Sequence, residues 1–283
     1  MAYTEEQLES FKEPLSTTEE QRAGNALSMV QDAINDYDWS AAGITKPTVI
    51  KKGSYWHNTN VKKDSDVDVA VVFDYYTLPI NTQTQSEDHL YSSGGNMSRS
   101  TLRDNLFMAL CKKFGNGINI GKVAFQIDSN TYRLPIDVVC AVSAKDYITG
   151  QAIPGIVVLN KSGRVLLNYP DEEMSKGNNK NINTNYYYKK IVRILKKINQ
   201  EQNFGAKSFM VESLVYNIPD NILTSDSTYR QKTWNVAEAI LSYLPFASGQ
   251  FTEVNGIKPL FGTFQKWDVN DAHNFLTSVK AVL

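Results

Sequence analysis

Two apolar segments of the sequence are interrupted by aspartates at alternate positions. In "DSDVDVAVVF" (64–73) every second residue from the fourth onward is apolar, and these residues would form one face of a β-strand. Asp66 and Asp68 would share the other face at the start of that strand. "PIDVVCAV" (135–142) places Asp137 in a second strand in the same way. Because burying an ionised carboxylate is costly unless it is paired, the fold must place these strands where the charge is compensated.

The three carboxylates would come together if the two strands were neighbours in one sheet. Asp66, Asp68 and Asp137 would then repel one another, which raises their pKa values, and a divalent cation would relieve the repulsion. A ligand set made only of oxygen favours Mg²⁺, with Mn²⁺ as an alternative. A purely structural interpretation stays open at this point, with Asp66 solvated at the strand start and Asp68 paired with a nearby lysine.

A Gly-Ser pair lies shortly before the first carboxylate. Ser54 precedes Asp66 by twelve residues, and Gly53 comes directly before Ser54. A glycine lets the backbone approach a ligand closely, and a serine at a helix start offers a hydroxyl and an N–H to a phosphate. Taken together with the Asp-x-Asp pattern and the later Asp137, the Gly-Ser pair indicates a site for metal ions and phosphate.

Composition excludes several other classes of protein. The net charge is -1 and the pI is about 6.3, so no overall basic field favours nucleic acid as a partner. Two cysteines and three scattered histidines lack the spacing of a disulfide framework or a zinc site. The start of the chain, "MAYTEEQLES", is acidic and polar, and no apolar run has the length of a membrane span. We therefore expect a cytoplasmic protein that has no membrane partner.

The chain changes character near its middle. "STTE" (16–19) matches a capping box and opens an amphipathic helix that we expect to reach about Trp39. Strand-like segments and one further helix follow, whereas helical apolar periodicity dominates the second half. The pattern predicts an α+β protein with a core lobe over residues 1–150, which includes the long N-terminal helix, and a helical lobe over residues 151–283.

Two polar stretches are expected to be loops, and one helix is expected to carry a basic face. The loops are residues 77–99, which contain "SSGG", and the Asn-rich stretch 175–185. In the helix that follows, Lys189, Arg193 and Lys196 are spaced so that they share one face. The simplest interpretation of that face is a solvated basic stripe.

The motifs resemble those of a known superfamily. "GSYWHNT", then "DSDVDVAVVF" and "IDVVCA", resemble the Gly-Ser, Asp-x-Asp and third strand carboxylate of the DNA polymerase β-like nucleotidyltransferases. "YKKIVRILKKI" and "AKSFMVESLVYNIP" are similar to the cyclic GMP-AMP synthase/DncV-like nucleotidyltransferases of bacterial anti-phage signalling (CBASS), and most of the chain resembles their clade E. The resemblance implies a mixed-sheet N-terminal lobe, a helical C-terminal lobe and an active site in a cleft.

The resemblance also implies roles for the residues of the metal and phosphate motifs. Asp66 and Asp68 would hold two Mg²⁺ ions and the donor triphosphate. Asp137 would complete the catalytic metal site and help to activate the attacking ribose hydroxyl. The backbone of Gly53 and the side chain of Ser54 would grip the terminal phosphates. Metal ions and cations would then neutralise the charge that builds up on the transferring phosphoryl group.

Residues of the second half match further positions of the resemblance. Lys189 and Ser208 match positions that contact the triphosphate, and Phe209 lies where an aromatic ring can stack on a base. Lys180, in the expected Asn-rich loop, is a further candidate for a phosphate contact. Two alternatives stay open, in which Phe209 is a core aromatic residue and Lys180 is only solvated.

Three residues match positions that accompany the choice of base. Asn168 matches an asparagine found with pyrimidine use, and an amide can both donate to and accept from a uracil edge. Gln265 and Trp267 resemble an Arg/Gln-x-Trp signature of relatives that make pyrimidine products. The alternatives are a turn-forming Asn168 and a core Trp267. We expect UTP as at least one substrate, with ATP a candidate for the other, while the second base and the linkage stay open.

The sequence thus predicts a monomeric enzyme that makes a cyclic dinucleotide from NTPs. The product would be a second messenger that acts through an effector protein in anti-phage defence. Three alternatives stay open: a purine cyclic di- or trinucleotide synthase, a polymerase β-like transferase that makes linear products, and an NTP-binding module without turnover. A strongly basic surface and zinc ligands are lacking in the sequence pattern, so activation by nucleic acid is not expected.

Overall fold

The structure is a computed structural model that describes residues 2–14, 16–61, 66–75, 89–92, 95–146, 153–161, 166–225, 227–263 and 265–283. Its strands are β1 (Thr48–Lys51), β2 (Val67–Phe73), β3 (His89–Ser92), β4 (Gly95–Ser98), β5 (Ile118–Ile120), β6 (Ala124–Ile127), β7 (Ile136–Asp146), β8 (Ile153–Val158) and β9 (Leu166–Asn168). Its helices are α1 (Glu5–Phe11), α2 (Thr17–Asn35), α3 (Ser54–His57), α4 (Arg99–Phe114), α5 (Pro170–Asn183), α6 (Tyr187–Gln202), α7 (Ser208–Tyr216), α8 (Asp220–Thr224), α9 (Tyr229–Ala247) and α10 (Val269–Val282). In these described parts, no helix combines the length and the apolar character that crossing a membrane requires.

The chain folds into two compact units. The sheet unit consists of Ser16–Trp56 and Ser65–Pro170, and the helical unit consists of Met1–Leu15, His57–Asp64 and Asp171–Leu283. The start of the chain, which contains α1, therefore belongs with the C-terminal helices. β8 and β9 lie in the part of the sequence that we assigned to the helical lobe, yet they pair with the sheet in the order β7-β8-β9.

The sheet unit is built around a mixed sheet, as expected from the sequence. The strand order is β1-β2-β7-β6-β5, and β8 also pairs with β7. The pairing of β2 with β7 is parallel, and the other pairs of this sheet are antiparallel. The predicted strand at 66–73 and the predicted strand that carries Asp137 are therefore direct neighbours. This confirms the adjacency on which the prediction of a shared carboxylate site depends.

The two faces of β2 differ as the alternation of its sequence predicts. Its apolar odd-numbered residues are fully buried, and Phe73 contacts Trp39 with ring centroids 5.4 Å apart. The other face carries a smaller apolar cluster that includes Ala70 and Val139. Asp68 lies at the start of β2 on that second face. The strand therefore buries apolar surface along most of its length and presents a carboxylate only at one end.

The long helix of the sheet unit begins where the sequence predicts. Ser16 is the N-cap of α2, its side chain accepts a hydrogen bond from the Glu19 N–H, and the Glu19 carboxylate accepts one from the Ser16 N–H. This reciprocal pair is the capping box read from "STTE". The helix ends at Asn35, before the expected Trp39, whose indole N–H donates to the carbonyl of Ile34.

The loop expected at 175–185 is wrong, because α5 covers most of it. The helix begins with Pro170 and has three acidic residues in its first turn and Lys180 in its last, which suits the helix dipole. Its buried positions include Glu173 and Gly177, so polar and small residues occupy the inner face. Apolar periodicity does not predict a helix in a segment of this composition.

The loop expected at 77–99 is corrected in part. Residues 77–88 lie outside the described residues. β3 and β4 form an antiparallel pair that joins His89 to Ser98 and Ser92 to Gly95. Ser98 is also the N-cap of α4, so the described residues 89–92 and 95–99 have regular structure, while residues 93 and 94 also lie outside the described residues.

The helical unit surrounds a second core made by α6, α7, α9 and α10. Its buried residues include Ile191 and Leu195 of α6 and Leu276 of α10. α1 joins this unit, and the carboxylate of Glu5 accepts hydrogen bonds from the N–H groups of Tyr229 and Arg230 at the start of α9. An acidic side chain at a helix start stabilises the unpaired N–H groups there.

The solvated basic stripe expected on α6 is wrong for two of its three members. Arg193 and Lys196 are buried, with 5% and 3% of their surface exposed. The ammonium of Lys196 lies 2.9 Å from the carboxylate of Glu212, which also accepts a hydrogen bond from Thr59 at 2.8 Å. Burial alone would raise the pKa of Glu212, but the charge of Lys196 and contacts with Lys196 and His57 lower it well below its usual range. Lys196 is thus buried because the carboxylate of Glu212, which lies on another helix, pairs with it.

Removing the cation of this buried pair is expected to destabilise the helical unit. Lys196→Met leaves Glu212 ionised and buried without its counter-charge, and breaking such a pair costs about 3–5 kcal/mol. Chemical denaturation at pH 7 measures this loss. The control is Lys197→Met on the next position of α6, whose pair with Glu201 is partly exposed, and it should lose less than about 1 kcal/mol. Equal losses in the two variants would contradict a special role for the buried pair.

Candidate active site

The register between β2 and β7 places two of the predicted carboxylates side by side. Asp68 and Asp137 are Cα partners in the parallel pair. Asp66 lies directly before β2, two residues from Asp68, and therefore at the same end of the strand. Neighbouring partners in a sheet present their side chains to the same face. The three predicted aspartates therefore lie at the starts of β2 and β7, on the face of the sheet that carries Ala70 and Val139.

Burial raises the pKa values of two of the three predicted carboxylates, Asp66 and Asp137. Burial raises the pKa of Asp137, although a hydrogen bond from Gln126 and the charge of Lys52 act in the opposite direction. Partial desolvation and then the negative charge of Asp137 raise the pKa of Asp66. The ionised forms of these two side chains are thus disfavoured by their surroundings. A cation placed among them would reverse that penalty.

The side chains of Asp68 and Asp137 have different neighbours within the protein. Among the residues that the structure describes, no group of three or more His, Cys, Asp and Glu side chains is arranged to hold a metal ion. Asp68 lies against Gly53, while Asp137 accepts a hydrogen bond from Gln126. These aspartates offer only oxygen atoms, they lie at the starts of neighbouring strands, and the pKa values of Asp66 and Asp137 are raised. These properties nevertheless fit a divalent cation.

The Gly-Ser turn is packed against the second aspartate. Gly53 has φ of +83°, and a Cβ built on it would lie 2.1 Å from a carboxylate oxygen of Asp68. The N–H of Lys52 and the indole N–H of Trp56 both donate to the backbone carbonyl of Asp68, at 3.3 and 3.1 Å. Ser54, the first residue of α3, is partly buried. Only glycine satisfies both the positive φ and the close approach, so the turn and the carboxylate form one unit.

The predicted phosphate ligands of the second half all lie in the helical unit. Lys189 donates to the side-chain oxygen of Asn178 at 2.6 Å, and burial lowers its pKa, with the Glu212 charge opposing and the Arg193 charge adding to that shift. Ser208 is the first residue of α7 and is exposed.

The ammonium of Lys180 is held within the helical unit by two partners. It pairs with Asp220 at 2.6 Å and donates to the carbonyl of Ile218 at 2.5 Å. Lys180 therefore lies on a helix and not in a loop, and its predicted contact with a phosphate stays a prediction.

The residues predicted to select the base have structural partners of their own. Asn168 ends β9, and its side-chain N–H donates to the carbonyl of Leu166. Gln265 donates to the carboxylate of Glu253 and to the carbonyl of Pro259, both at 2.8 Å.

The last two predicted base contacts lie against each other. The indole N–H of Trp267 donates to the carbonyl of Leu260. Its ring meets Phe209 edge-on, with centroids 6.4 Å apart. These contacts support packing roles for both rings, and the predicted contacts with a base stay predictions.

Comparison with known proteins identifies the family. Residues 175–283 match the cGAS/DncV-like nucleotidyltransferase C-terminal helical domain. A protein from Legionella pneumophila named cyclic dipyrimidine nucleotide synthase CdnE is 33% identical, over 96% of this chain and 95% of that relative. The chain belongs to the cGAS/DncV-like nucleotidyltransferases.

Two further cGAS/DncV-like nucleotidyltransferases are similar over nearly the whole chain. Cyclic GMP-AMP synthase CdnE03 from Staphylococcus schleiferi is 31% identical, over 99% of this chain and 96% of the relative. The structure of Rhodothermus marinus CdnE c-UMP-AMP synthase with Apcpp and Upnpp gives a TM-score of 0.79 at 26% identity, covering 99% of this chain and 96% of that one. The predicted polymerase β-like fold, the nucleotidyltransferase class and the clade E resemblance are confirmed.

Two side chains near Asp137 were not singled out from the sequence of this cGAS/DncV-like nucleotidyltransferase. They are Gln126, the residue opposite Asp137 on β6, and Lys52, whose charge lowers the pKa of Asp137. The segment "KVAFQID" predicts a strand with Gln126 on one face, but the sequence does not say which residue pairs with it. Only the register of β6 with β7 identifies the partner.

Adding a methyl group to Gly53 is expected to disrupt the site. Gly53→Ala forces the Asp68 carboxylate away from its position, and we expect the rate of nucleotidyl transfer to fall at least about 100-fold. Pyrophosphate release from NTPs measures that rate. Gly43→Ala is the matched control, because Gly43 also has a positive φ, +65°, but has nothing within 4 Å of the added Cβ. Both variants should lose about 1 kcal/mol of stability from backbone strain, so equal activities would show that the contact with Asp68 is unimportant.

Proposed function

We propose that this enzyme joins two NTPs into a cyclic dinucleotide that contains at least one pyrimidine. The observation that carries the proposal is the register of β2 with β7, which sets Asp68 beside Asp137. Asp66 lies directly before the start of β2. The three aspartates match the Asp-x-Asp and third strand carboxylate of the polymerase β-like superfamily, and their positions at the starts of neighbouring strands support the proposal. The names of the relatives support cyclic products.

Asp66, Asp68 and Asp137 are the residues that would hold the metal ions, for which we propose two Mg²⁺, with Mn²⁺ able to replace them. Such ions supply charge neutralisation at the phosphates and lower the pKa of a nearby hydroxyl. The disfavoured negative charges of Asp66 and Asp137 are the reason that this chain would gain by binding them. Gly53 presents backbone without a side chain beside Asp68, which suits a phosphate oxygen that must approach closely.

The proposed reaction consists of two successive nucleotidyl transfers. A ribose hydroxyl oxygen of one nucleotide attacks the α-phosphorus of the other, the bond to the bridging oxygen of the β-phosphate breaks, and pyrophosphate leaves. Asp137 would orient that hydroxyl and help to take up its proton. In the second transfer, a ribose hydroxyl at one end of the linear product attacks the α-phosphorus of the triphosphate at its other end, a second pyrophosphate leaves, and the ring closes.

Lys189 and Ser208 of the helical unit are proposed as triphosphate contacts. Burial lowers the pKa of Lys189, and its hydrogen-bond acceptor, Asn178, is neutral. A phosphate would therefore stabilise the charged form of this ammonium. Ser208 opens α7, where backbone N–H groups are not used within the helix. Lys180 is a weaker candidate because it is already paired with Asp220.

We propose UTP as one substrate and ATP as a candidate for the other. Asn168 carries an amide that can donate and accept, as a uracil edge requires. A cyclic dipyrimidine synthase and a c-UMP-AMP synthase among the relatives support this choice, whereas the similarity to a cyclic GMP-AMP synthase supports a purine product as the second candidate. Gln265, Trp267 and Phe209 would shape the base pocket through their contacts with the surrounding chain.

The proposal extends to the setting in which the enzyme works. Its product would act as a second messenger on an effector protein in anti-phage defence, and the enzyme would act as a monomer in the cytoplasm. Cys111 and Cys140 are free thiols, which suits a reducing compartment. The net charge of -1 gives no support to a nucleic-acid partner.

The test is to identify the product and to remove the carboxylates. The protein is incubated with each pair of NTPs and Mg²⁺, and the products are treated with phosphatase and weighed by mass spectrometry. We expect a phosphatase-resistant cyclic dinucleotide only in mixtures that contain UTP. Asp68→Asn and Asp137→Asn should each reduce its formation by about 1,000-fold or more, because the site loses a ligand charge.

The control for these substitutions is Asp74→Asn. Asp74 is exposed and follows the opposite end of β2, so its loss leaves the site unchanged. Unchanged product formation in Asp68→Asn would exclude the proposed site. A linear product would favour the alternative polymerase β-like activity, and a product from purine NTPs alone would exclude the choice of UTP.

A further inference from the structure

The chain leaves the Gly-Ser turn through a short buried segment. α3 begins at Ser54 and ends at His57, and residues 57–60, "HNTN", continue directly from its last turn. His57 is 5% exposed and Thr59 is fully buried. Polar side chains are seldom buried to this extent unless they have partners. The partners of this segment therefore show what holds the end of α3.

A single carboxylate on α7 contacts both buried side chains of the segment. The hydroxyl of Thr59 donates to Oε2 of Glu212 at 2.8 Å, and Nδ1 of His57 lies 3.6 Å from Oε1. Oε2 also lies 2.9 Å from the ammonium of Lys196 on α6. All four residues belong to the helical unit. Because both oxygens of this buried carboxylate have neighbours, it cannot turn without losing one of these contacts.

The backbone between His57 and Thr59 is held as well. Asn58 has φ of +54°, in the left-handed region that residues other than glycine seldom adopt. Its carbonyl accepts a hydrogen bond from the guanidinium of Arg193 at 2.6 Å, and the same guanidinium donates to the carbonyl of Lys12. Such a conformation persists only where the surroundings fix it. The segment after α3 therefore has one geometry, which Arg193 and Glu212 hold together.

α3 is also held near its other end. The indole N–H of Trp56 donates to the carbonyl of Asp68, and Gly53 lies against the carboxylate of Asp68. Two points of contact define an axis about which a helix of one turn can still rotate. Ser54 is only about 4.5 Å from His57 along that helix, at about 1.5 Å per residue. Contacts that fix His57 and the residues after it therefore also fix the position of Ser54.

We infer that Thr59 is a positioning residue for Ser54, because its hydrogen bond to Glu212 fixes the end of the helix that Ser54 begins. The inference rests on the proposed function and on the predicted role of Ser54, whose hydroxyl would grip a terminal phosphate of an NTP. Thr59 would contact neither the nucleotide nor a metal ion. Its loss should therefore weaken the preference of the enzyme for a nucleoside triphosphate over the matching diphosphate.

The test measures that preference directly, without turnover. Calorimetry gives the affinity for a non-hydrolysable NTP analogue and for the matching NDP with Mg²⁺, for uridine and for adenosine nucleotides. Ser54→Ala should reduce the preference about tenfold, because a hydrogen bond to a charged group is lost. Thr59→Val keeps the shape of the side chain and should reduce it at least about threefold. The double variant should stay within about twofold of Ser54→Ala, because Thr59 acts through Ser54.

Two further variants separate positioning from stability. Thr59→Ser keeps the hydroxyl and should stay within about twofold of the wild type. Thr233→Val is the matched control, because Thr233 is also fully buried in the helical unit and donates its hydroxyl to one acceptor, the carbonyl of Tyr229, at 2.6 Å. The two valine variants should lower the unfolding temperature by similar amounts, since each loses one buried hydrogen bond. Only Thr59→Val should change the preference for the triphosphate.

Several results would overturn the inference. They are a wild-type preference in Thr59→Val, an equal loss of preference in Thr233→Val or in Thr59→Ser, and additive losses in the double variant. If Thr59→Val does not fold, Thr59→Ala takes its place, with the same expected loss. Failure of both variants to fold would assign Thr59 to stability instead of positioning.

The outcomes also separate this inference from the proposed function. If the wild type makes the cyclic product and Ser54→Ala loses its preference while Thr59→Val keeps it, only the positioning role is wrong. If Ser54→Ala keeps the wild-type preference, the predicted grip of Ser54 fails, and the positioning role fails with it. If the wild type makes no product and binds no nucleotide, the proposed function fails first.

Discussion

The parallel pairing of β2 with β7 is the constraint on which the candidate site depends. Both strands bury apolar residues along their length, and the register that aligns those residues also aligns Asp68 with Asp137. The same packing that stabilises the sheet therefore forces two like charges together. A shift of one residue would turn the side chains of β2 to the opposite face and would bury the aspartates in the core. Core packing thus protects a geometry that is unfavourable for the isolated carboxylates.

The backbone around Asp68 extends this constraint to the Gly-Ser turn. The carbonyl of Asp68 accepts hydrogen bonds from Lys52 and Trp56 on either side of the turn, and its carboxylate leaves no room for a side chain at Gly53. The turn cannot shift without losing these contacts. Two motifs that are separate in the sequence are therefore packed together in the structure, which suits a site that must hold phosphate close to carboxylates.

Much of this arrangement could be predicted from the sequence, because it depends on local patterns. The alternation in "DSDVDVAVVF" and the capping box at Ser16 each report on neighbouring residues. The predictions that were wrong concern polar residues whose burial depends on contacts with other parts of the chain. Lys196 is buried because Glu212 pairs with it, and the inner face of α5 carries Glu173, so polar residues occupy positions that periodicity assigns to solvent. The sequence did not predict that Gln126 lies beside Asp137, because strand register sets this pairing and a single sequence does not show the register.

The central claim is that Asp68 and Asp137 share a cation while a nucleotide is bound. The most direct measurement is a crystal structure of the wild-type protein with Mn²⁺ and a non-hydrolysable UTP analogue, with the metal located by its anomalous scattering. The account predicts a peak within about 2.0–2.4 Å of a carboxylate oxygen of each of these two residues. An ordered nucleotide in the crystal with no anomalous peak at these carboxylates, or with a metal bound elsewhere, would contradict it.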